Sequence, residues 1–421
     1  MKIIATSDWH LGNFFHTNDR LSEHTHFLDW LLSQIKELKP DALLVAGDVF
    51  DNGNPSAAAQ TLYYKFLAQV AQVAPQMRVV ITAGNHDSAS RLEAPRPLLS
   101  CFKVEIRGNV QRLWTETENG GTWTFNFDDL IIPVRNEAGE EMVVLAVPFL
   151  RNDVVMGENY SKGVNNFLNA LTRRAKELHP GKTLVMMAHM YANGADIAKT
   201  DQSEKLVVGG QEMVSMDGWT ELPDYLTCGH IHKRQPIWGT YWARYTGSIL
   251  PMSFAEKDYS HGVDLLTIGN DGKVKVEALA YQPQHKLRVL PADDQELTPS
   301  QLKKLIKAEL AERTGGELDE HFDYLLLKVK MDKVDSEAIK ELEDLVATKN
   351  AVLCKLQRIE PSVDWTTISG EKIECTDDVL NRDPLDALKE AFVVKRKKEM
   401  TSEQVALLTE LLGNINYKHN D

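Results

Sequence analysis

The chain has 421 residues, of which 43% are apolar, and a formal net charge of −14. Domains usually hold ~100–200 residues, so this length predicts two or three domains, and the acidic total argues against a general binder of polyanions. Four widely spaced cysteines argue against a disulfide framework or a thiolate zinc site. The first residues do not form a signal peptide and no segment reaches the ~18 apolar residues of a membrane span, so we expect a soluble, cytoplasmic protein.

Short apolar segments recur through the first two thirds of the chain, and several are continuously apolar, which is typical of strands buried on both faces. Helical spacing of apolar residues predicts helices over 26–38 and 57–73. Alternating strands and helices indicate an α/β fold. We predict strands at 2–6, 41–47, 78–84, 143–149, 183–189 and 225–229, an antiparallel pair formed by 122–134 and 142–149, and a hairpin turning at 270–272.

The composition changes near residue 281, and the pattern after it predicts a small α+β domain. Its elements are a helix from the capping box at 298–301 to about 313, a strand at 324–331, a helix at 336–348 and a strand at 351–359. Two short amphipathic helices are predicted in the tail, after Asp383 and after Thr401. The residues alone leave open whether these helices bind a partner or pack back on the globular part.

Five of the predicted strands are followed by His, Asp or Asn. Ligands of α/β sheets bind beyond the carboxyl ends of the strands, so we expect these side chains to converge. Residues two apart in an extended segment project to the same side, which lets each of the motifs DWH and HIH present two ligands in one direction. The predicted metal ligands are Asp8, His10, Asp48, Asn85, His189, His230 and His232.

This oxygen and imidazole set, without thiolate, suits Mn²⁺, Fe²⁺ or Zn²⁺ and could hold two ions bridged by Asp48. His86 follows a ligand and is expected to face the substrate and protonate the leaving oxygen. Asp51 is expected to accept a hydrogen bond from His86 and hold its orientation, so His86 and Asp51 are the predicted catalytic residues. Asp87 is expected to cap the next helix. Each residue alone is more often an ordinary turn or surface residue; their joint occurrence at five strand ends favours the metal site.

The motifs DxH, GDxxD, GNHD, a single His and GHxH, in this order, resemble those of the calcineurin-like metallophosphoesterases. The longer strings SDWHLG, AGDVFD, AGNHDS and CGHIH resemble the SbcD-type exonuclease subunits of the meiotic-recombination nuclease family. The resemblance implies a four-layer β-sandwich flanked by helices over residues 1–280 and an α+β DNA-capping domain over 281–365. It implies a helical segment over 366–421, in which about 376–415 bind the coiled coil of an SbcC-type ATPase.

The resemblance also implies a homodimer that works with this ATPase as a Mn²⁺-dependent nuclease on DNA. The implied activities are a double-strand 3'–5' exonuclease and an endonuclease on single strands and hairpins. His86 would be the catalytic histidine. One ion would be held by Asp8, His10, Asp48 and His232, and the other by Asp48, Asn85, His189 and His230.

Two alternatives stay open at this point: a phosphodiesterase or phosphomonoesterase of the same fold for small substrates, and a non-catalytic scaffold that binds a partner through its tail. An acidic chain needs local basic residues to contact DNA. Segment 88–112 holds five basic residues against two acidic ones, and Lys233 and Arg234 follow the last motif. We expect these residues to meet phosphates near the metals.

Overall fold

The computed structural model describes residues 1–117, 120–152, 154–155, 159–196, 213–293, 295–331, 333–359 and isolated positions nearer the C-terminus. Contacts divide the chain into two compact units, Met1–Val329 with Asp335–Arg358 and Lys330–Val334 with Ile359–Asp421. The predicted partner-binding segment, about 376–415, lies outside the described residues except at isolated positions. Among these, Thr401 and Gln404 exchange hydrogen bonds in the manner of a capping box, at the position where the sequence predicts that the second tail helix begins. The predicted domain boundaries at 280 and 365 stay predictions.

The described residues form short strands and helices along most of the chain. The strands are β1 Lys2–Thr6, β2 Phe14–Phe15, β3 Asn18–Asp19, β4 Ala42–Ala46, β5 Arg78–Thr82, β6 Val104–Arg107, β7 Arg112–Thr117, β8 Gly120–Phe125, β9 Ile131–Arg135, β10 Glu141–Ala146, β11 Thr183–His189, β12 Tyr225–Gly229, β13 Gln235–Pro236, β14 Ala243–Tyr245, β15 Gly262–Ile268, β16 Val274–Ala280, β17 Leu287–Leu290, β18 Asp323–Lys330 and β19 Ala351–Ile359. The helices are α1 Leu21–Leu38, α2 Ala57–Val73, α3 Ala89–Glu93, α4 Arg96–Leu99, α5 Phe127–Leu130, α6 Tyr160–Leu178, α7 Pro299–Glu309 and α8 Ser336–Val346.

Two six-stranded sheets pack face to face in the first part of the chain. Their strand orders are β16-β15-β1-β4-β5-β6 and β13-β14-β12-β11-β10-β9. Apolar side chains from both sheets, such as Leu44, Val144 and Met187, fill the layer between them. Strands of this kind are buried on both faces, which explains their continuous apolar sequences.

Helices cover the two outer faces of the sheet pair. Apolar residues of α1 and α2, such as Leu31 and Phe66, pack on the first sheet, and residues of α6, such as Leu168, pack on the second. The arrangement is helix, sheet, sheet, helix, which confirms the four-layer α/β fold. None of the described helices is both long and apolar enough to cross a bilayer.

The predicted strand at 122–134 is wrong in its middle, where the structure has a helical turn. The segment 122–134 is interrupted by α5, whose first turn contains Asp128 and Asp129. Acidic residues are depleted in strands and favoured in the first turn of a helix, and both carboxylates bind arginines from other elements, Arg174 and Arg96. The predicted antiparallel pairing is present between β9 and β10, the parts of the two segments that form strands.

A three-stranded sheet, β17-β18-β19, with helices α7 and α8 forms the α+β part of the chain. The capping box at the start of α7 is present, as predicted. This sheet contacts the segment after β1: the Tyr324 ring lies 5.1 Å from the ring of Phe15, and its hydroxyl donates to Glu23 at 3.2 Å. Strand β18 is therefore anchored beside the start of α1.

Candidate dimetal centre

The seven side chains predicted as ligands meet at one rim of the sheet pair. Strands β1, β4 and β5 of one sheet and β11 and β12 of the other end there, and each ligand lies at or just after one of these ends. Three groups of side chains bring their ligating atoms within 4.8 Å of one another: Asp8, His10 and His232; His10, Asp48 and His86; Asp8, Asp48 and His189. The predicted convergence is therefore observed.

Asp48 occupies the middle of this cluster. Its Oδ2 lies 3.2 Å from Nε2 of His189 and 3.7 Å from Nε2 of His10. Burial alone would raise the pKa of the Asp48 carboxyl, but the imidazoles of His189 and His10 outweigh burial and hold that pKa well below its usual range. The carboxylate is therefore ionised and faces both halves of the site, as a bridging ligand must.

A second group surrounds the amide oxygen of Asn85. This Oδ1 lies 3.0 Å from Nε2 of His189 and 3.0 Å from Nδ1 of His230. The other nitrogen of His189, Nδ1, lies 2.9 Å from the carbonyl oxygen of Ala46. A carbonyl only accepts, so Nδ1 carries the hydrogen and Nε2 is directed at Asp48 and Asn85. Burial alone would lower the pKa of His189, but the Asp48 carboxylate raises it to about 9.

His10 shows that this set of residues fits a cation. Both of its ring nitrogens are buried. Nδ1 lies 3.4 Å from the Asp51 carboxylate, so Nε2 is the buried nitrogen left without a hydrogen bond among the described residues. Buried nitrogens are almost always paired, so Nε2 indicates that a further group binds here. The surrounding donors are carboxylates, an amide oxygen and imidazoles, which is a set that divalent transition metals prefer. The residues therefore fit divalent metal ions.

The backbone is strained at four of the predicted ligands. Asp8, His10, Asp48 and His230 have φ angles of +51°, +45°, +50° and +100°. Positive φ is costly for residues with a side chain, and such strain collects at functional sites. The glycines of the motifs allow the loops to approach one another: a Cβ on Gly84 would lie 2.1 Å from Oδ1 of Asp48.

His86 is exposed at the edge of the cluster. Its main-chain nitrogen donates to Oδ1 of Asp48 at 2.9 Å, and its Nδ1 lies 2.8 Å from the main-chain oxygen of Asp51. The carbonyl can only accept, so Nδ1 carries a hydrogen and Nε2 is the nitrogen available to a substrate. The ring is thus fixed relative to the central carboxylate.

The predicted hydrogen bond from His86 to the Asp51 carboxylate is wrong. That carboxylate accepts from Asn13 at 2.8 Å and lies 3.4 Å from Nδ1 of His10. The reason is a backbone bridge between Leu11 and the residue before Asp51, which turns the Asp51 side chain toward the loop after β1. The Asp51 carboxylate therefore lies beside the predicted ligand His10, and only its carbonyl contacts His86.

Comparison with known proteins identifies the family. Residues 1–234 match the family described as calcineurin-like phosphoesterase. The chain is 33% identical over 354 residues to the SbcD subunit of the nuclease SbcCD from Rhodobacter capsulatus, covering 82% of this chain and 84% of that one. It is 31% identical over 304 residues to the SbcD subunit of Escherichia coli K12, covering 70% and 71%. The chain is a calcineurin-like phosphoesterase of the SbcD type.

A third relative agrees with this grouping. The SbcD subunit of the Bacillus subtilis nuclease is 30% identical over 269 residues, which cover 63% of this chain and 66% of that one. The family match includes the loops after β1, β4, β5, β11 and β12, so all seven side chains at the rim of this phosphoesterase lie inside it.

Asp87 of this phosphoesterase has a different role from the one expected. It does not cap a helix. Its buried carboxylate accepts from the main-chain nitrogens of Gly84, Val49 and Phe50 at 2.9, 3.1 and 2.9 Å. Asp87 therefore joins the loops after β4 and β5, which carry the central carboxylate and Asn85.

Two buried residues of the phosphoesterase were missed by reasoning from the sequence. Glu256 is fully buried behind His232, with its Oε1 3.1 Å from Nδ1. No motif surrounds Glu256, so the sequence holds no signal for this contact. His24 is also buried, and burial together with the nearby Arg20 lowers its pKa to about 3. Its helical spacing from Phe27 and Leu28 would have placed it on the apolar face of α1.

Three of the seven basic residues expected to meet phosphates lie beside carboxylates. Arg96 pairs with Asp129, Arg107 with Glu105, and Arg234 lies 3.6 Å from the buried Asp264. These three arginines are therefore partly engaged by carboxylates, and the expectation that basic residues of this region meet phosphates stays a prediction. Local sequence charge could not reveal their acidic partners, because most of these come from distant elements.

Proposed function

We propose that this chain is the nuclease subunit of an ATPase–nuclease complex and hydrolyses phosphodiester bonds of DNA at ends, hairpins and single strands. The complete set of seven ligating side chains at one rim, with His86 beside it, is the observation that carries the proposal. The relatives are named as nuclease subunits of a complex, which supports a nucleic-acid substrate and a partner subunit. Mn²⁺, a homodimer and partner binding through residues 376–415 belong to the same proposal.

The chain's own residues would hold two ions. When bound, the ions supply positive charge against the phosphate and acidify the attacking water. Asp48 would be the shared ligand, because its carboxylate faces both halves of the cluster. Asp8, His10 and His232 would complete one position, and Asn85, His189 and His230 would complete the other.

His86 would act as the general acid. Its Nδ1–H is held by the carbonyl of Asp51 at 2.8 Å, so the imidazolium, protonated on both nitrogens, would give the proton of Nε2 to the leaving sugar oxygen and become the neutral Nδ1–H form. Its main chain is held by Oδ1 of Asp48 at 2.9 Å, so the distance between acid and ligands is set by the fold. A positioned acid of this kind contributes roughly 10²–10⁴-fold to the rate.

A phosphoesterase for small substrates would need the same ligands. The α+β part argues for a macromolecular substrate. Its sheet is held beside the start of α1 through Tyr324, and an enzyme that binds only a small ester does not need such an additional sheet. A scaffold without activity would not need strained backbone at four predicted ligands. We therefore favour the nuclease over both alternatives.

The proposal is tested with the purified full chain, with and without its SbcC-type ATPase partner. The substrates are end-labelled duplex DNA, a DNA hairpin, circular single-stranded DNA and a chromogenic phosphomonoester, each in Mn²⁺, Mg²⁺ or EDTA. We expect metal-dependent DNA cleavage that EDTA abolishes. Hydrolysis of the small ester alone would favour the small-substrate alternative. Tight binding of metal without hydrolysis of any substrate would favour the scaffold.

A further inference from the structure

A buried carboxylate lies directly behind one of the predicted ligands. Glu256, in the loop between β14 and β15, is 0% exposed, and its Oε1 is 3.1 Å from Nδ1 of His232. Its Oε2 accepts from the main-chain nitrogen of Met252 at 2.9 Å. Burying a carboxylate is costly unless it is hydrogen-bonded, so a fully buried glutamate indicates a specific role.

The contact decides which way His232 presents its nitrogens. An ionised carboxylate only accepts, so Nδ1 carries the hydrogen and Nε2 is left for the group formed with Asp8 and His10. Metal-binding histidines commonly donate their other N–H to a carboxylate or a carbonyl, which fixes the ring and raises its basicity. On the other side of the site, the carbonyl of Ala46 does this for His189.

The loop that carries Glu256 is itself held in place by buried groups. The main-chain oxygen of Pro251 accepts from Nη1 of Arg20 at 2.6 Å. Arg20 donates twice to Glu23, at 2.8 and 3.0 Å, and both side chains are fully buried. The loop that carries the carboxylate is therefore joined to the start of α1 by buried hydrogen bonds.

We propose that Glu256 is a positioning residue for His232, and that its charge strengthens the cation position formed by Asp8, His10 and His232 without affecting the other position. The inference rests on the proposed function, since it requires two ions to bind. Glu256 does not touch the substrate, so it acts only through the orientation and basicity of the imidazole. Its loss should therefore appear first in metal affinity.

Glu256→Gln in the full chain tests this. Glutamine has one acceptor oxygen where the glutamate offers two, so Nδ1 of His232 and the nitrogen of Met252 cannot both be satisfied. Calorimetric titration with Mn²⁺ should show two ions on the unsubstituted chain. The variant should bind one of them roughly 10–100-fold more weakly and the other unchanged. Cleavage should fall at low Mn²⁺ and recover when Mn²⁺ is saturating.

Glu105→Gln is the matched control, because Glu105 also pairs with basic groups, Arg78 and Arg107, but lies on the edge strand β6. Both ions should bind to it as to the unsubstituted chain. Circular dichroism checks folding, and if Glu256→Gln is unfolded, Glu256→Asp replaces it. The shorter aspartate keeps the charge but withdraws it from His232, so it should weaken the same single position.

The outcomes separate the two proposals. If the unsubstituted chain does not bind two ions, the proposed function fails. If it binds two ions and the folded Glu256 variant binds both with unchanged affinity, the positioning role is overturned and the proposed function stands. A variant that weakens both positions equally also overturns it, because a general loss of structure then explains the effect.

Discussion

The two halves of the candidate site are oriented by different kinds of atoms. His189 is held by a main-chain carbonyl at the end of β4, so its orientation follows from the sheet itself. His232 is held by the side chain of Glu256, from a loop outside the sheets. One half is therefore oriented by the main chain of the core, whereas the other is oriented by a single side chain that can be substituted. Substitutions can therefore weaken one half and spare the other.

The largest effect is expected where the halves share a residue. Asp48→Asn removes the charge that faces both, so both ions and DNA cleavage should be lost, the latter by roughly 1000-fold or more for a loss of several kcal/mol. Metal titration and an end-labelled duplex assay measure this. Asp258→Asn is the control, because the Asp258 side chain is 81% exposed, and it should leave metal binding and cleavage unchanged. If the Asp48 variant still bound two ions with normal affinity, Asp48 would not be the ligand that both ions share.

The next largest effect should appear in the cleavage rate, with metal binding at both halves unchanged. His86→Ala removes the imidazole but keeps the main-chain nitrogen that donates to Asp48, so two ions should still bind while cleavage falls roughly 10²–10⁴-fold. Rapid-quench cleavage at saturating Mn²⁺ measures the loss. His321→Ala, at an exposed histidine, should cleave normally. Near-normal cleavage by the His86 variant would show that the acid is a different group.

A smaller effect should distinguish one half from the other. Asp51→Asn removes the carboxylate 3.4 Å from His10, so the position containing His10 should bind its ion about 10-fold more weakly while the position containing His189 is unchanged. Calorimetry with Mn²⁺ checks this. If cleavage instead fell as far as in the His86 variant at saturating metal, Asp51 would be catalytic, as the sequence first suggested.

The smallest effect is expected at Tyr324, which contacts Glu23, the partner of the arginine that holds the loop of Glu256. Tyr324→Phe removes a hydrogen bond to Glu23 and keeps the ring, so the free energy of unfolding in urea should fall by about 1 kcal/mol. Both ions should bind as before. A selective loss of affinity at the His232 half would instead show that the α+β part communicates with the site.

Much of the site was predictable because each motif contains both the last residues of a strand and the polar residues that follow it. A buried apolar run followed by glycine and a polar residue indicates both where a strand stops and which side chain emerges there. The same logic predicted that Asn85 and His189 would meet, and their side chains are 3.0 Å apart. It failed for Asp51 and Asp87, because a loop between elements has no periodicity that tells which way a carboxylate turns.

The layered α/β fold, the family and the seven side chains at the rim could be predicted from local sequence, because strand periodicity and the glycines that follow strands depend on neighbouring residues. The groups that orient those side chains could be identified only in the folded chain. Glu256 reaches His232, and Asp264 neutralises Arg234, across gaps in the sequence that no local pattern spans. The physical reason is that hydrogen bonds and ion pairs form between groups that folding brings together, wherever they lie along the chain.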